Sequence, residues 1–195
     1  MSYSIRIANP SDAPSIATHL CKAGGGLMEF LLDGIVPDVT ADQLLAVTLT
    51  ETQSPLSYSN TVVLDEDNEV KGVMLGYSLK DFSISGEMKM FVEQNRVDHV
   101  RGLYTQKIPN SYYIHALSVD DSVQGRGGGK ALIEIAKDIA LDQGFDNLSL
   151  HVWQDNLQAL SLYKAVGFEE ISLIPIERHK LLPHDGGMLL LKFPL

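Results

Sequence analysis

Gln124-Gly125-Arg126-Gly127-Gly128-Gly129-Lys130 follows directly on Tyr112 to Val119, which reads as a strand, and precedes Leu132, Ile135, Ala136, Ile139 and Ala140, which recur at helical spacing. The glycines therefore open a helix. There the first backbone N–H groups have no partner within the helix, and the positive end of its dipole faces outward. With no Cβ atoms in the way, a phosphate can approach the backbone. Arg126 and Lys130 add positive charge in a chain whose formal charge is -10. The stretch points to a phosphate-bearing ligand, against the alternative of a surface turn that binds nothing.

Two familiar phosphate loops are excluded by spacing. A triphosphate loop, G-x-x-x-x-G-K-[ST], needs Gly where Gln124 stands and Ser or Thr where Ala131 stands. The dinucleotide fingerprint G-x-G-x-x-G, begun at Gly125, meets Lys130 at its third glycine.

Outward from the loop, strands and helices alternate. Downstream, Gly129 to about Gln143 is a helix, Asn147 to Val152 a strand, Asn156 to Val166 a helix and Phe168 to Ile174 a strand. A loop with Pro175, Pro183 and Gly186-Gly187 then leads to a last strand, Met188 to Leu191. Upstream, Thr61 to Leu64 and Val70 to Leu79 form an antiparallel hairpin around the polar turn Asp65-Glu66-Asp67-Asn68. The first quarter holds a strand at Ile5 to Ile7 and then a helix capped by Ser11 or Asp12 that ends at Gly24-Gly25-Gly26. An apolar segment from Met28 to Leu32 follows, and then a helix from the Thr40/Gln43 capping box to about Glu51. Between Lys80 and Asn110, Met88, Phe91, Val92 and Asn95 fit one helix face before Pro109, and this segment reads as an elaboration or lid.

Composition bounds the rest. The chain has 195 residues, 45% hydrophobic and 21% charged, which suits one domain with an elaborated segment at about 80–110 and rules out wholesale disorder. No apolar run approaches the ~20 residues that cross a bilayer. No signal peptide is expected from the opening residues, and one cysteine, Cys21, fits a reducing cytoplasm. A net charge of -10 disfavours nucleic acid as a partner and would favour the approach of cationic small molecules or basic peptides. Neither a metal site nor a membrane partner is expected.

Gln124-Gly125-Arg126-Gly127-Gly128-Gly129 fits Q/R-x-x-G-x-G/A, and Asn156-x-x-Ala159-x-x-Leu162-Tyr163-x-x-x-Gly167-Phe168 follows one helix and one strand later. With Leu117-Ser118-Val119 ahead of the loop, the chain resembles the GNAT superfamily of acyl-CoA-dependent N-acyltransferases, most strongly from Tyr112 to Phe168. Asp121 stands where many members have proline. The resemblance implies an α+β fold, an α/β sandwich with a mixed, centrally splayed β-sheet flanked by helices, and acetyl-CoA as acyl donor.

Carried over by position, the backbone of Leu117, Ser118 and Val119 would pair with the pantetheine arm, an N–H near Leu117 would polarise the thioester carbonyl, and Gln124, Gly125, Arg126, Gly127, Gly128, Gly129 and Lys130 would hold the pyrophosphate. Asn156 would cap a helix and touch the cofactor. Tyr163 matches the family's usual general acid, and a core tyrosine is the alternative. His115, two residues before Leu117 on the same strand face, is the candidate base, with a water chain in its place or a purely structural histidine as the alternatives and His151 and Glu169 in reserve.

The implied reaction is acetyl transfer to a primary amine of a small molecule or peptide by direct attack in a ternary complex. The competing reading is an acyl-CoA-binding sensor or scaffold without catalysis. Cys21 reads as a core residue. The acceptor pocket would come from Gly24 to Gly34, Lys80 to Asn110 and Pro175 to Gly187, where Glu29, Asp33, Glu87 and Glu93 could receive a cation. The sheet edge or the insertion could also support a homodimer.

Overall fold

The computed structural model describes residues 3–83 and 91–195. Its sheet has seven strands: β1 (Ser4–Ile7), β2 (Thr61–Glu66), β3 (Glu69–Ser78), β4 (Ser111–Val119), β5 (Asn147–Trp153), β6 (Glu169–Ile174) and β7 (Met188–Pro194). They lie in the order β1-β2-β3-β4-β5-β7-β6, and every neighbouring pair is antiparallel except β4 and β5. The mixed, helix-flanked sheet is the one expected.

Alternation along the central strands feeds two cores. Val63, Val73 and Leu75 face α1 (Ala13–Gly24), α2 (Leu27–Leu32) and α3 (Ala41–Leu49), whose Ile16, Ala17, Leu20, Leu45 and Leu49 are buried with them. Leu64, Met74 and Ile114 face the other way, with Leu132, Ile133 and Ala136 of α5 (Gly128–Asp142) and Leu160 of α6 (Leu157–Val166). Near-continuous apolar strands are what burial on both faces requires.

Local chemistry sets the boundaries. The hairpin turn is tighter than the sequence suggests: β2 continues through Glu66, and Asp67 and Asn68 alone make the bend with φ of 56° and 63°, the left-handed pair that suits a two-residue connection. Thr40 and Gln43 form the expected capping box. At α1 the expected cap is replaced. Asn9 caps the preceding turn, while the Asp12 carboxylate turns to the Asn9 N–H and to Arg6. Arg6 bridges Asp12 at 2.7 Å and Asp65 at 2.8 Å, tying β1, β2 and the start of α1 together.

In the 80–110 segment the described helix is α4 (Gln94–His99), which contains Asn95 but begins beyond Phe91 and Val92. Met88 and Glu87 lie outside the described residues. No helix among the described residues is long and apolar enough to cross a membrane.

The sheet opens at its centre. The parallel strands β4 and β5 pair only over Ser111–Asn147, Tyr112–Leu148 and Tyr113–Ser149, and then diverge. Beyond that point a side chain spans the gap: Tyr113 Oη lies 2.9 Å from His151 Nδ1.

Candidate active site

A cavity of about 530 Å³ fills the opening between β4 and β5 and extends to the glycine loop and α6. It gathers Leu117, Ser118, Val119, Gln124, Gly125, Gly127, Gly128, Gly129, Lys130 and Asn156 with Tyr163 and His115. Arg126 stands outside this lining.

Beyond Tyr113 the β4 wall presents a strand edge that β5 leaves unpaired. The Asp120 N–H bonds to the Lys71 carbonyl on the β3 side, so strand alternation turns the backbone groups of Leu117 and Val119 toward the gap. The Val119 carbonyl already accepts from Lys22 Nζ there, at 3.3 Å. The Ser118 side chain points elsewhere and meets His19 Nδ1 at 3.0 Å.

The loop's glycines divide by cause. Gly125 and Gly127 have φ of 73° and 83°, whereas Gln124 at -61° and Arg126 have negative φ. Gln124 itself is extended (ψ 152°), so the left-handed glycines on either side of Arg126 are the stretch whose successive N–H groups can turn to one side as in an anion nest. Gly128 answers to packing: a Cβ there would come within 2.7 Å of Leu64 Cδ1, so its absence lets α5 settle on β2. Arg126 forms an ion pair with Glu66 at 2.7 Å, which holds that carboxyl below its ordinary range, so less of the Arg126 charge is available to a ligand than the sequence implies. Lys130, in the first turn of α5, is exposed. Gln124 bonds to Asp121 and Gln158 and ties the loop to α6.

Asn156 is the expected cap, its Oδ1 accepting from the Ala159 N–H at 3.1 Å. Seven residues on, two turns of helix bring Tyr163 to the same face of α6. Its ring is buried edge-to-face against Phe168 at 5.5 Å, and burial pushes the phenol pKa well up, so the hydroxyl keeps its proton at neutral pH.

His115 departs from the regular strand. Leu75 pairs with Ala116 and Gly76 with Ile114, which leaves His115 as an extra residue in a bulge. Its ring therefore lies with Tyr77, Tyr113 and Phe82 rather than on the face of Leu117, which packs with the α5 core. Nδ1 is 2.8 Å from Tyr77 Oη, and burial lowers the pKa to about 4. His151, like His115, is half-buried, with a pKa lowered to about 3, first by desolvation and then by the charges of Lys107 and His115. Glu169 is exposed on β6 and lines no part of the cavity.

The chain's acidity does not reach this site: among the described residues, no Asp or Glu lines the cavity. Asp33 accepts from the Ala41 N–H at the start of α3, and Glu93 pairs with Arg96. The Cys21 thiol is pushed up to about 12 by burial and by Glu29, Asp42 and Asp33, in keeping with a core role. No group of three metal-binding side chains occurs among the described residues.

Sequence reasoning missed Lys22 and Trp153. Lys22 reaches Val119 and Asp121 from the last turn of α1. Trp153 ends β5 in the cavity wall, stacks on His184 at 4.8 Å and donates to the Gly24 carbonyl at 2.9 Å. Only strand β5 followed beyond Val152 could have pointed to the tryptophan, and no local motif marks the lysine.

The model of the acetyltransferase (GNAT) family matches residues 42–168. A mycothiol acetyltransferase of Jonesia denitrificans is 42% identical over 79 residues, covering 40% of this chain and 24% of that protein. The chain thus spans about a quarter of that relative's length. Among solved structures, an N-acetyltransferase from Staphylococcus aureus Mu50 has a TM-score of 0.70 at 19% identity, covering 97% of this chain and 100% of that one. The protein yncA of Salmonella typhimurium, solved with its cofactor acetyl-CoA, has a TM-score of 0.62 at 16% identity, covering 100% of this chain and 95% of that one. At these identities the two structures speak to the fold.

Proposed function

The chain belongs to the acetyltransferase (GNAT) family, and from that premise we propose that it transfers an acetyl group from acetyl-CoA to a primary amine by direct attack in a ternary complex. We read residues 1–195 as one catalytic unit. The observation that carries this reading is the convergence, in one cavity, of the left-handed glycine nest, the free edge of β4 and Tyr163. The nest and Lys130 suit a pyrophosphate, and the backbone of Leu117 and Val119 suits an arm lying along the strand. Acetyl-CoA held there supplies the activated thioester.

The residues divide the work as follows. A backbone N–H near Leu117 polarises the thioester carbonyl as the amine nitrogen attacks its carbon. The new C–N bond forms and the C–S bond breaks. Tyr163 meets the departing sulfur with its phenol proton, the proton leaving the nitrogen passes to His115 and on to solvent, and Tyr163 regains a proton from solvent, which restores the balance. His115 lines the cavity and serves as acceptor through Nε2 in the tautomer that carries hydrogen on Nδ1, next to Tyr77 Oη. Its low pKa keeps the ring neutral throughout the physiological range.

The test is thiol release from acetyl-CoA across a panel of amines. Amine-dependent release establishes the transferase. Tight binding of acetyl-CoA with no release from any amine favours the sensor reading instead.

A further inference from the structure

Lys22, in the last turn of α1, reaches the part of the cavity assigned to the acyl donor, although no motif contains it. It lines that cavity, and its Nζ lies 2.8 Å from Asp121 Oδ1 and 3.3 Å from the Val119 carbonyl oxygen. The same Asp121 oxygen accepts from Gln124 Nε2 at 2.7 Å, so the ammonium stands no more than two hydrogen bonds from the first residue of the glycine loop. Gln124 in turn accepts from Gln158 of α6 at 2.9 Å. The first helix is thereby drawn to the point where an arm along β4 gives way to the pyrophosphate.

Charge makes a second cation useful there. Among the described residues, Lys22 and Lys130 are the lysines or arginines that line the cavity, while Arg126 stands outside it and pairs with Glu66. A pyrophosphate brings negative charge to a chain whose formal charge is -10. The present partners of Lys22 hold it loosely. Both Lys22 and Asp121 are exposed, and an ion pair between such groups contributes little in water. The Val119 carbonyl faces the gap, where an arm lying on β4 would use it through its own N–H. Entry of the arm therefore competes with the ammonium for that carbonyl, and a phosphate offers the ammonium a more highly charged partner.

Resting on the acetyl-CoA reading, we propose that Lys22 is a phosphate ligand contributed by the first helix: it leaves Asp121 and the Val119 carbonyl when the donor enters, and its ammonium takes a pyrophosphate oxygen. Lys22 is then a specificity-determining residue for the donor. It favours acyl-CoA over acyl thioesters that share the arm but carry no phosphate.

Acetyl-CoA and S-acetylpantetheine separate the possibilities, since they share the thioester and the arm and differ in the phosphates. Calorimetry gives the Kd for acetyl-CoA at low and high salt, thiol release gives kcat/KM for both donors without saturation, and Trp153 fluorescence melting checks folding. Lys22→Met should weaken acetyl-CoA about tenfold, the worth of one charged hydrogen bond, and leave S-acetylpantetheine no poorer a donor. Added salt should weaken acetyl-CoA less in Lys22→Met than in the wild type, and Lys22→Arg should keep most of the affinity. Adding Asp121→Asn to Lys22→Met removes the carboxylate that the lysine neutralises, and acetyl-CoA binding should stay weak. A loss shared by both donors, no loss with acetyl-CoA, or full recovery in the double variant would overturn the inference and leave the transferase intact. No binding of acetyl-CoA by the wild-type chain would remove both.

Discussion

Tyr163 and His115 carry opposite protonation problems, and burial answers each in its own direction. Burial raises the phenol, so Tyr163 holds its proton until charge grows on the sulfur. Tyr163→Phe should lower kcat about 100-fold while leaving the affinity for acetyl-CoA within a factor of two, as stopped-flow and equilibrium titration can separate. Burial lowers His115 to about 4, so the ring is a neutral base over the whole working range. The pH profile of kcat/KM should therefore rise with the deprotonation of the acceptor amine and show no inflection near 6.5; an inflection there that vanishes in His115→Gln would contradict the assignment.

The same shift links to stability. A histidine near 6.5 in the unfolded chain and near 4 in the fold contributes fully above 6.5, and that contribution is lost as pH falls toward 4. Melting followed by calorimetry should drop by roughly 5–10 °C across that window, and His115→Gln should remove part of the drop, the remainder coming from His151 with its own pKa of about 3.

Elements meet through a few close approaches. The first turn of α5 lies on β2 where Gly128 has no side chain, so Gly128→Ala pushes a methyl group into fully buried Leu64 and should cost about 1–3 kcal/mol. Gly125 has open space around its Cβ position, so Gly125→Ala meets only the left-handed backbone penalty of about 1–2 kcal/mol. Urea unfolding of the two variants checks the ordering. At the other edge, Arg6 holds β1, β2 and α1, and Arg6→Ala leaves the nearly buried Asp12 carboxylate without its cation. A loss of about 1–2 kcal/mol is expected, seen as a Tm lowered by roughly 2–8 °C.

Across the whole molecule, what the sequence discloses and what it hides follow from the range of the interactions involved. The glycine loop, the Asn156 cap and the alternating strands around them are local: each depends on residues within a turn or two, and periodicity reports them. The setting of His115 is not local. Whether its ring joins Leu117 or Tyr77 turns on a bulge created by the register of β3 against β4, and alternation alone reads it on the wrong face. Lys22 and Trp153 escape for the same reason, since Lys22 lies in α1, about a hundred residues from the Val119 and Asp121 it joins, and Trp153 reaches across to Gly24. Charge misleads at this scale too. The surplus of acid covers the surface and the first helices, while the cavity wall holds lysine, histidine, amide and backbone donors.

The central claim is that the glycine nest and the opened edge of β4 together hold an acyl-CoA. Trp153, the chain's one tryptophan, stands in the cavity wall and reports on occupancy. Titrating acetyl-CoA against its fluorescence should give saturable binding with a Kd on the order of micromolar, and Gly127→Glu, which sets a carboxylate in the nest, should weaken it at least tenfold. No binding, or equal binding by a folded Gly127→Glu chain, would contradict the account.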